Sequence, residues 1–566
     1  MKVSDYIAEF LIERGVSHVF GYPGGMVTHL MDSFSRRGEE IQAHVNYHEQ
    51  ASAFSACGYA QTAGITGVAY ATSGPGATNL ITGIANAYFD SVPVLFLTGQ
   101  VNTYESRGSL PLRQQGFQET DILSMVKGIT KYCAYVSRLE DIRYELERAW
   151  YEANQGRKGP VLLDLPMDVQ RGVVDPASLR AFREAEERLS NFEEKKELCR
   201  AWAKEAKRPV LLVGAGVKQA GEEQAVRRMA EDLGLPVVSS MPAFDIFPGD
   251  APGYFGFIGA YGSRTANFII AKSDLIISVG SRLDVRQVGA RAQSFGGKAR
   301  LIRADVDSAE FSRRIKEEEL QITCDIQEFV REAGDLFPKP PDEWLAVCKT
   351  LKERLTGLDD RRPNIWIRKL GSKLQEDIVI TTDVGQNQVW VAQSLKVKDS
   401  QRVLFSGGHG AMGYALPAAI GAYYGSERPV VCFSGDGGIQ MNIQELQFLA
   451  RERLPIIVVI LNNSALGMIR HFQEMYFNSN YFQTKAEGGY TAPDFGKLAA
   501  AYGLSYCRIE TDEELESYEP TFLEPQIVEL VLPEPTYVFP KLEFGKPNQD
   551  QEPLLERSLY QELMEL

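Results

Sequence analysis

The chain has 566 residues, 44% apolar and 24% charged, and a formal net charge of −15. That length exceeds what one hydrophobic core can serve and predicts about three globular domains. The negative balance, with no basic block, excludes nucleic acid and anionic membrane as partners. Seven cysteines (Cys57, Cys133, Cys199, Cys324, Cys348, Cys432 and Cys507) are scattered without a CxxC pair. They predict a reduced, cytoplasmic protein with no structural zinc.

In chain order, "MKVSDYIAEFLIERGVSHVF" predicts an amphipathic helix running into a strand and has no signal-peptide core. No apolar run reaches the roughly 18 residues of a membrane span. "VNYHEQASAFSACGYA" predicts a helix starting near Glu49, with small residues that permit close packing. The apolar runs "GVAYATS", "VPVLFLTG" and "GPVLLDLP" follow, then "RPVLLVGAG", "LPVVSS" and "DLIISVGS", then "DIVITTD", "PVVCFSGDG" and "PIIVVILNN". Such doubly apolar strands, alternating with helical patterns, predict parallel sheets covered on both faces. The predicted fold class is α/β, with three doubly wound parallel-sheet domains. Two charged, proline-flanked stretches, "DPASLRAFREAEERLSNFEEKKELCRAWAKEAKRP" and "FPKPPDEWLAVCKTLKERLTGLDDRRPN", read as links. They divide the chain into 1–170, 190–335 and 360–535, with a polar tail at 536–566. No fixed-period repeat is legible.

The segment "GDGGIQMNIQELQFLARERLPIIVVILNN" carries the chemistry. Ligands of parallel sheets bind outside the carboxyl ends of the strands. Asp436 and Asn463 are predicted at two such ends. A carboxylate oxygen with an amide oxygen suits Mg²⁺ or Ca²⁺. Gly435, Gly437 and Gly438 let backbone N–H groups approach an anion at a helix N-terminus. Together these describe a diphosphate site; GDG alone would also fit an ordinary βα turn.

GDG followed downstream by NN resembles the motif of the thiamine-diphosphate-dependent enzyme superfamily. The resemblance implies thiamine diphosphate bound through Mg²⁺, which is held by Asp436, the Asn463 side chain and the Ala465 carbonyl, with Gly467 and Met468 alongside. It also makes Glu49 the carboxylate set against N1′ of the aminopyrimidine, where it drives proton transfer. Read alone, Glu49 is an acidic residue favourable at a helix N-terminus. In the superfamily, the counterparts of Glu49 and Asp436 in one site come from different subunits, which implies a homodimer or homotetramer.

"VFGYPGG", "FQETDI", "TTDVGQNQVW", "GAMGYALPAAIGA" and "NNSALGMIRHFQ" resemble the acetolactate synthase catalytic subunit, and "ATSGPGATN" is shared more widely. The resemblance implies that the Gly410 carbonyl accepts from the 4′-amino group and that Met412 wedges the bent cofactor; core filling is the other reading of Met412. Gln386 and Asn387 would lie at the diphosphate. Gly25, Phe117 and Gln118 would line the substrate side. Arg286 would face an acceptor carboxylate, or else serve at the surface or beside a cofactor. In the middle domain, Gly214, Gly216 and Gly221 form GxGxxxxG, not a dinucleotide fingerprint. By resemblance this domain either holds FAD or stands empty.

Four positions depart from that family: Met167 replaces a lysine, Ala260 a methionine, Phe472 a tryptophan and Asn387 a histidine. All but the last lie on the acceptor or entry side. The implied function is decarboxylation of a 2-oxoacid, pyruvate, and transfer of its two-carbon unit to a carbonyl acceptor. Alternatives are another acceptor such as a keto-sugar nucleotide or aldehyde, a simple 2-oxoacid decarboxylase, or a silent cofactor-binding homologue.

Overall fold

The computed structural model describes residues 1–184, 190–533 and 535–566. The strands are β1 (His18–Gly21), β2 (Gln42–Val45), β3 (Gly67–Ala71), β4 (Val94–Gln100), β5 (Tyr132–Tyr135) and β6 (Val161–Pro166) in the first sheet. The second holds β7 (Pro209–Val213), β8 (Val237–Ser239), β9 (Tyr254–Phe257), β10 (Leu275–Val279), β11 (Arg300–Asp305) and β12 (Glu319–Thr323). The third holds β13 (Val379–Thr382), β14 (Arg402–Phe405), β15 (Val430–Gly435), β16 (Ile456–Asn462), β17 (Ser505–Ile509) and β18 (Gln526–Val531). Each sheet is six-stranded and parallel, with helices on both faces, as the doubly apolar runs predict.

The first sheet runs β2-β1-β3-β4-β6-β5 and the third β14-β13-β15-β16-β18-β17. These are the same topology, a repeat that no sequence period betrays. The second runs β12-β11-β10-β7-β8-β9. The nine apolar runs are β3, β4, β6, β7, β8, β10, β13, β15 and β16, and every one lies inside a sheet.

The helix Glu49–Ala63 leads from β2 to β3, and the helix Ala415–Ser426 leads from β14 to β15. These topological equivalents pack against each other. A Cβ on Gly58 would fall 2.1 Å from the Ala418 carbonyl oxygen, and one on Gly421 only 1.8 Å from that of Ser55. Ser55 Oγ donates to the Pro417 carbonyl at 2.9 Å. The run of Ala, Ser and Gly in both helices is what allows the backbones this close.

The two stretches read as links contain the helices Phe192–Glu205 and Asp342–Leu355. Phe192, Cys199 and Ala203 are buried against one face of the second sheet, and Trp344, Cys348 and Leu351 against the other. Their charged residues lie on the outward faces, so the sequence looks polar although each helix completes a core. The last residues cross from the third domain to the second. Trp390 Nε1 donates to the Tyr537 carbonyl at 2.9 Å, Arg264 donates to the carbonyls of Gln551 and Pro553, and Leu563 is buried. Among the described residues, no helix is long and apolar enough to cross a membrane.

Candidate active site

Glu49 is the first residue of its helix, where the N-terminal dipole favours a carboxylate. The His48 side chain caps the helix by accepting from the Gln50 N–H at 3.1 Å. Glu49 is buried, and Asn79 Nδ2 donates to its Oε2 at 2.9 Å. A Cβ on Gly76 would lie 3.2 Å from Glu49 Oε1 and 2.8 Å from Thr72 Cγ2, so only glycine leaves this carboxylate its room. Thr72 Oγ1 accepts from the Met26 N–H at 3.2 Å, which seats the short turn Gly25–Val27 beside it. Gly74, at φ +64°, backs onto Gln118, itself at φ 63°. Gly25, Glu49 and Gln118 are thus gathered beyond β1 and β3. Phe117 is 79% exposed and touches no core.

The second cluster lies beyond β13, β15 and β16. Gly435 pairs with Leu461, so Asp436 and Asn463 leave neighbouring strands close to the same level. Asp436 is buried, and burial pushes its carboxyl up to about 6, against the lowering effect of the Tyr490 hydroxyl and the backbone N–H groups of Asn463 and Ala465. Tyr490 donates to Asp436 Oδ2 at 2.8 Å. Asn463 Nδ2 donates to Gln386 Oε1 at 2.9 Å, while its Oδ1 accepts from the Ala465 N–H at 3.2 Å. A Cβ on Gly467 would meet Gln386 Oε1 at 1.9 Å. Met412 lies over the GDG turn, its Cε 3.6 Å from where a Cβ of Gly437 would be.

Asp383, at the end of β13, ties the two loops together. It accepts from the Gly413 N–H at 3.0 Å and the Ala415 N–H at 3.2 Å, and a Cβ on Gly438 would sit 2.7 Å from its Oδ1. Burial pushes its carboxyl up to about 6. Gly410, at φ +71°, lies on the loop so held. Asn387 Oδ1 is buried without a hydrogen-bond partner, and Met468 packs at the core margin. Among the described residues, no three His, Cys, Asp or Glu side chains are grouped for a metal ion. A cation here would take one carboxylate, one amide and backbone oxygens, a set suited to hard divalent ions.

Three domains of known proteins match the chain in order. The N-terminal TPP binding domain of thiamine pyrophosphate enzymes matches residues 1–125, their central domain 200–333, and their C-terminal TPP binding domain 383–524. The chain belongs to the thiamine pyrophosphate enzyme family. It is 33% identical to the acetolactate synthase isozyme 2 large subunit of Escherichia coli over 97% of this chain and 99% of that one. It is 35% identical to the acetolactate synthase large subunit of Lactococcus lactis, over 96% and 94% of the two chains. It is 34% identical to the probable acetolactate synthase large subunit of Methanocaldococcus jannaschii, over 94% and 92%.

In this thiamine pyrophosphate enzyme, the Glu49 cluster falls within the N-terminal TPP binding domain and the Asp436 cluster within the C-terminal one. The central domain borders a cavity of about 870 Å³. Asp90, Gly216, Arg282, Arg286, Asp305 and Gly408 are among its walls, so all three domains contribute. Arg286, on the short helix Val285–Val288, stands at this cavity; its carbonyl accepts from the Ala260 N–H at 2.8 Å. Gly214 meets Gly280 backbone to backbone, and Gly221, at φ +75°, ends a short helix, which explains a glycine spacing unlike the dinucleotide fingerprint. Asn79 and Asp383 stand inside motifs already singled out, "ATSGPGATN" and "TTDVGQNQVW". Tyr490 has no comparable signal, because its segment carries no strand-end pattern.

Proposed function

We propose that the chain is an acetolactate-synthase-type carboligase that takes pyruvate as donor and passes a two-carbon unit to a carbonyl acceptor. The reading is supported above all by the meeting of Asp436 and Asn463 at adjacent strand ends, beside a glycine turn open to a diphosphate. Asp436, Asn463 and the Ala465 carbonyl would hold Mg²⁺. Gln386, Asn387 and the glycines of the turn would receive the phosphates; the Asn387 amide, its oxygen orphaned, would offer its N–H groups to a phosphate by turning over. Bound thiamine diphosphate supplies the electron sink for decarboxylation. Glu49 would hold and return a proton at the pyrimidine, the Gly410 carbonyl would accept from the amino group, and Met412 would pack against the cofactor. Gly25, Phe117 and Gln118 face the substrate. Phe117 is open on the single chain, which fits a site completed by a second copy in a homodimer or homotetramer.

The cavity lies within the roughly 300–1,000 Å³ of small-molecule and cofactor sites. Its mixed charged and apolar walls and the half-buried Asp305 carboxylate, suited to ribose hydroxyls, support FAD as its occupant. Free cysteines throughout fit a cytoplasmic enzyme. A different acceptor is the second reading, favoured by Met167, Ala260 and Phe472. The Ala260 N–H donates to the Arg286 carbonyl, so this departure lies beside the arginine assigned to the acceptor.

The test is purified chain with thiamine diphosphate, Mg²⁺ and pyruvate, with CO₂ and acetolactate measured separately. Both products support the carboligase. CO₂ with free acetaldehyde makes it a decarboxylase, and neither product, with cofactor bound, makes it a silent homologue.

A further inference from the structure

We propose that Thr536 is a positioning residue that turns the oxygen of the Asn463 amide toward the cation. The inference rests on the reading of Asn463 as a Mg²⁺ ligand. Thr536 lies past the end of β18 and past residue 524, where the match to the C-terminal TPP binding domain stops.

An asparagine amide offers two donors at nitrogen and one acceptor oxygen, and either end can face a site. Here the nitrogen has two acceptors. Asn463 Nδ2 donates to Gln386 Oε1 at 2.9 Å and to Thr536 Oγ1 at 2.7 Å. Both N–H bonds are used, so Oδ1 faces the other way, where it accepts only the Ala465 N–H. One lone pair is left for a ligand.

The arrangement closes on itself. Thr536 Oγ1 donates to Gln386 Oε1 at 3.1 Å, and Gln386 Nε2 donates to the Thr536 carbonyl at 3.0 Å. All three residues are buried, so water is a poor substitute for any lost bond. Gly467 packs against the ring; a Cβ there would lie 2.8 Å from Asn463 Nδ2. Valine at 536 would fill the same space and remove the acceptor. One Asn463 N–H would then be unpaired in a buried place, and the amide would be held in its orientation by fewer bonds, those to Gln386 and the Ala465 N–H.

The experiment is calorimetric titration of thiamine diphosphate at a series of Mg²⁺ concentrations, with parent, Thr536→Val, Thr536→Ser and Asp436→Ala. Thr536→Val is expected to raise the Mg²⁺ concentration for half-maximal binding roughly three- to tenfold, the span of one lost neutral hydrogen bond. Thr536→Ser is expected to restore the parent value, while the melting temperature of Thr536→Val without cofactor falls below that of parent and Thr536→Ser. An unchanged Mg²⁺ dependence in Thr536→Val overturns the inference, as does a loss that serine fails to restore. Should Thr536→Val not fold, Thr536→Ala is read in its place. Asp436→Ala separates the two levels. If it too leaves the Mg²⁺ dependence untouched, the cation reading itself fails; if it abolishes binding while Thr536→Val changes nothing, only the role of Thr536 is lost.

Discussion

Glu445 of the third domain grips the backbone from which the Glu49 helix of the first domain starts. The Tyr47 N–H donates to Glu445 Oε1 at 2.7 Å and Asn46 Nδ2 donates to Oε2 at 2.9 Å. Glu445 is buried, and burial pushes its carboxyl up to about 7. Glu445 closes the helical turn Ile439–Glu445 that follows the GDGG glycines, so the two clusters are joined within one chain. Glu445→Ala leaves two buried donors unpaired, a cost of about 2–4 kcal/mol. Its thermal midpoint should drop clearly below that of the parent. Glu452→Ala, at an exposed position, is the control for loss of a glutamate from the surface. Equal midpoints for the two variants would show that the grip is not stabilising.

Glu49→Gln should keep cofactor binding and lower turnover roughly 10²–10⁴-fold, the scale of a positioned proton-transfer group. Steady-state kinetics with calorimetrically confirmed occupancy measures this. Near-parent turnover removes Glu49 from the chemistry.

Asp436→Ala should abolish the Mg²⁺ dependence of thiamine diphosphate binding, because a diphosphate without its cation loses its main charge partner. Titration with and without Mg²⁺ decides. Parent affinity in the variant would place the metal elsewhere.

Acid stability should depend on His44. His18 Nδ1 and His44 Nε2 lie 2.8 Å apart, and His44 packs against Tyr424 of the third domain with ring centroids 3.9 Å apart. Burial, then the neighbouring His18 and Arg451, hold His44 down at about 3 from its ordinary 6.5. The native pair stays neutral while the unfolded chain takes up protons below pH 6.5. Stability is therefore present above that pH and lost as pH falls toward the folded value. His44→Phe should remove about 1 kcal/mol of the loss between about pH 7.5 and about pH 5.5. Melting curves of parent and variant at both pH values test it; parallel shifts would exclude His44. Carboxylates raised by desolvation, such as Asp90 and Asp164, act in the opposite sense and cancel in the comparison.

Phe472 is half exposed beside Tyr476 and Phe477. With Phe472, Met167 and Ala260 in place, little preference for 2-oxobutyrate over pyruvate as acceptor is expected, since one methylene contact is worth about 1–3 kcal/mol. Transfer to an aldehyde or keto-sugar should be measurable. The readout is a competition with pyruvate as donor and products resolved by mass. A strong 2-oxobutyrate preference without other products would make these substitutions neutral.

What is legible in the sequence follows from burial. The nine apolar runs are interior strands, shielded on both faces. The six edge strands β2, β5, β9, β12, β14 and β17 are not among them. "QAHV" and "SYCRI" leave residues to solvent, so their composition resembles that of loops. The glycine–aspartate turn and the asparagine pair are visible because they are local in sequence. Tyr490, Thr536 and Glu445 act across domains or long loops, and nothing in their own neighbourhoods marks the contact. The helices inside the two charged stretches look polar because only one face of each is buried.

The contacts of Gly58 with Ala418 and of Gly421 with Ser55 bring backbone against backbone, with no large side chain at either crossing point of the two helices. Side chains are what let packed surfaces slide, by changing rotamers. A joint of carbonyl against α-carbon has no such bearing, so the first and third domains cannot part by small steps. Any opening that admits a large ligand has to be carried by loops, by the crossing C-terminal segment or by the meeting of separate chains. The frame between the two strand-end clusters stays stiff throughout.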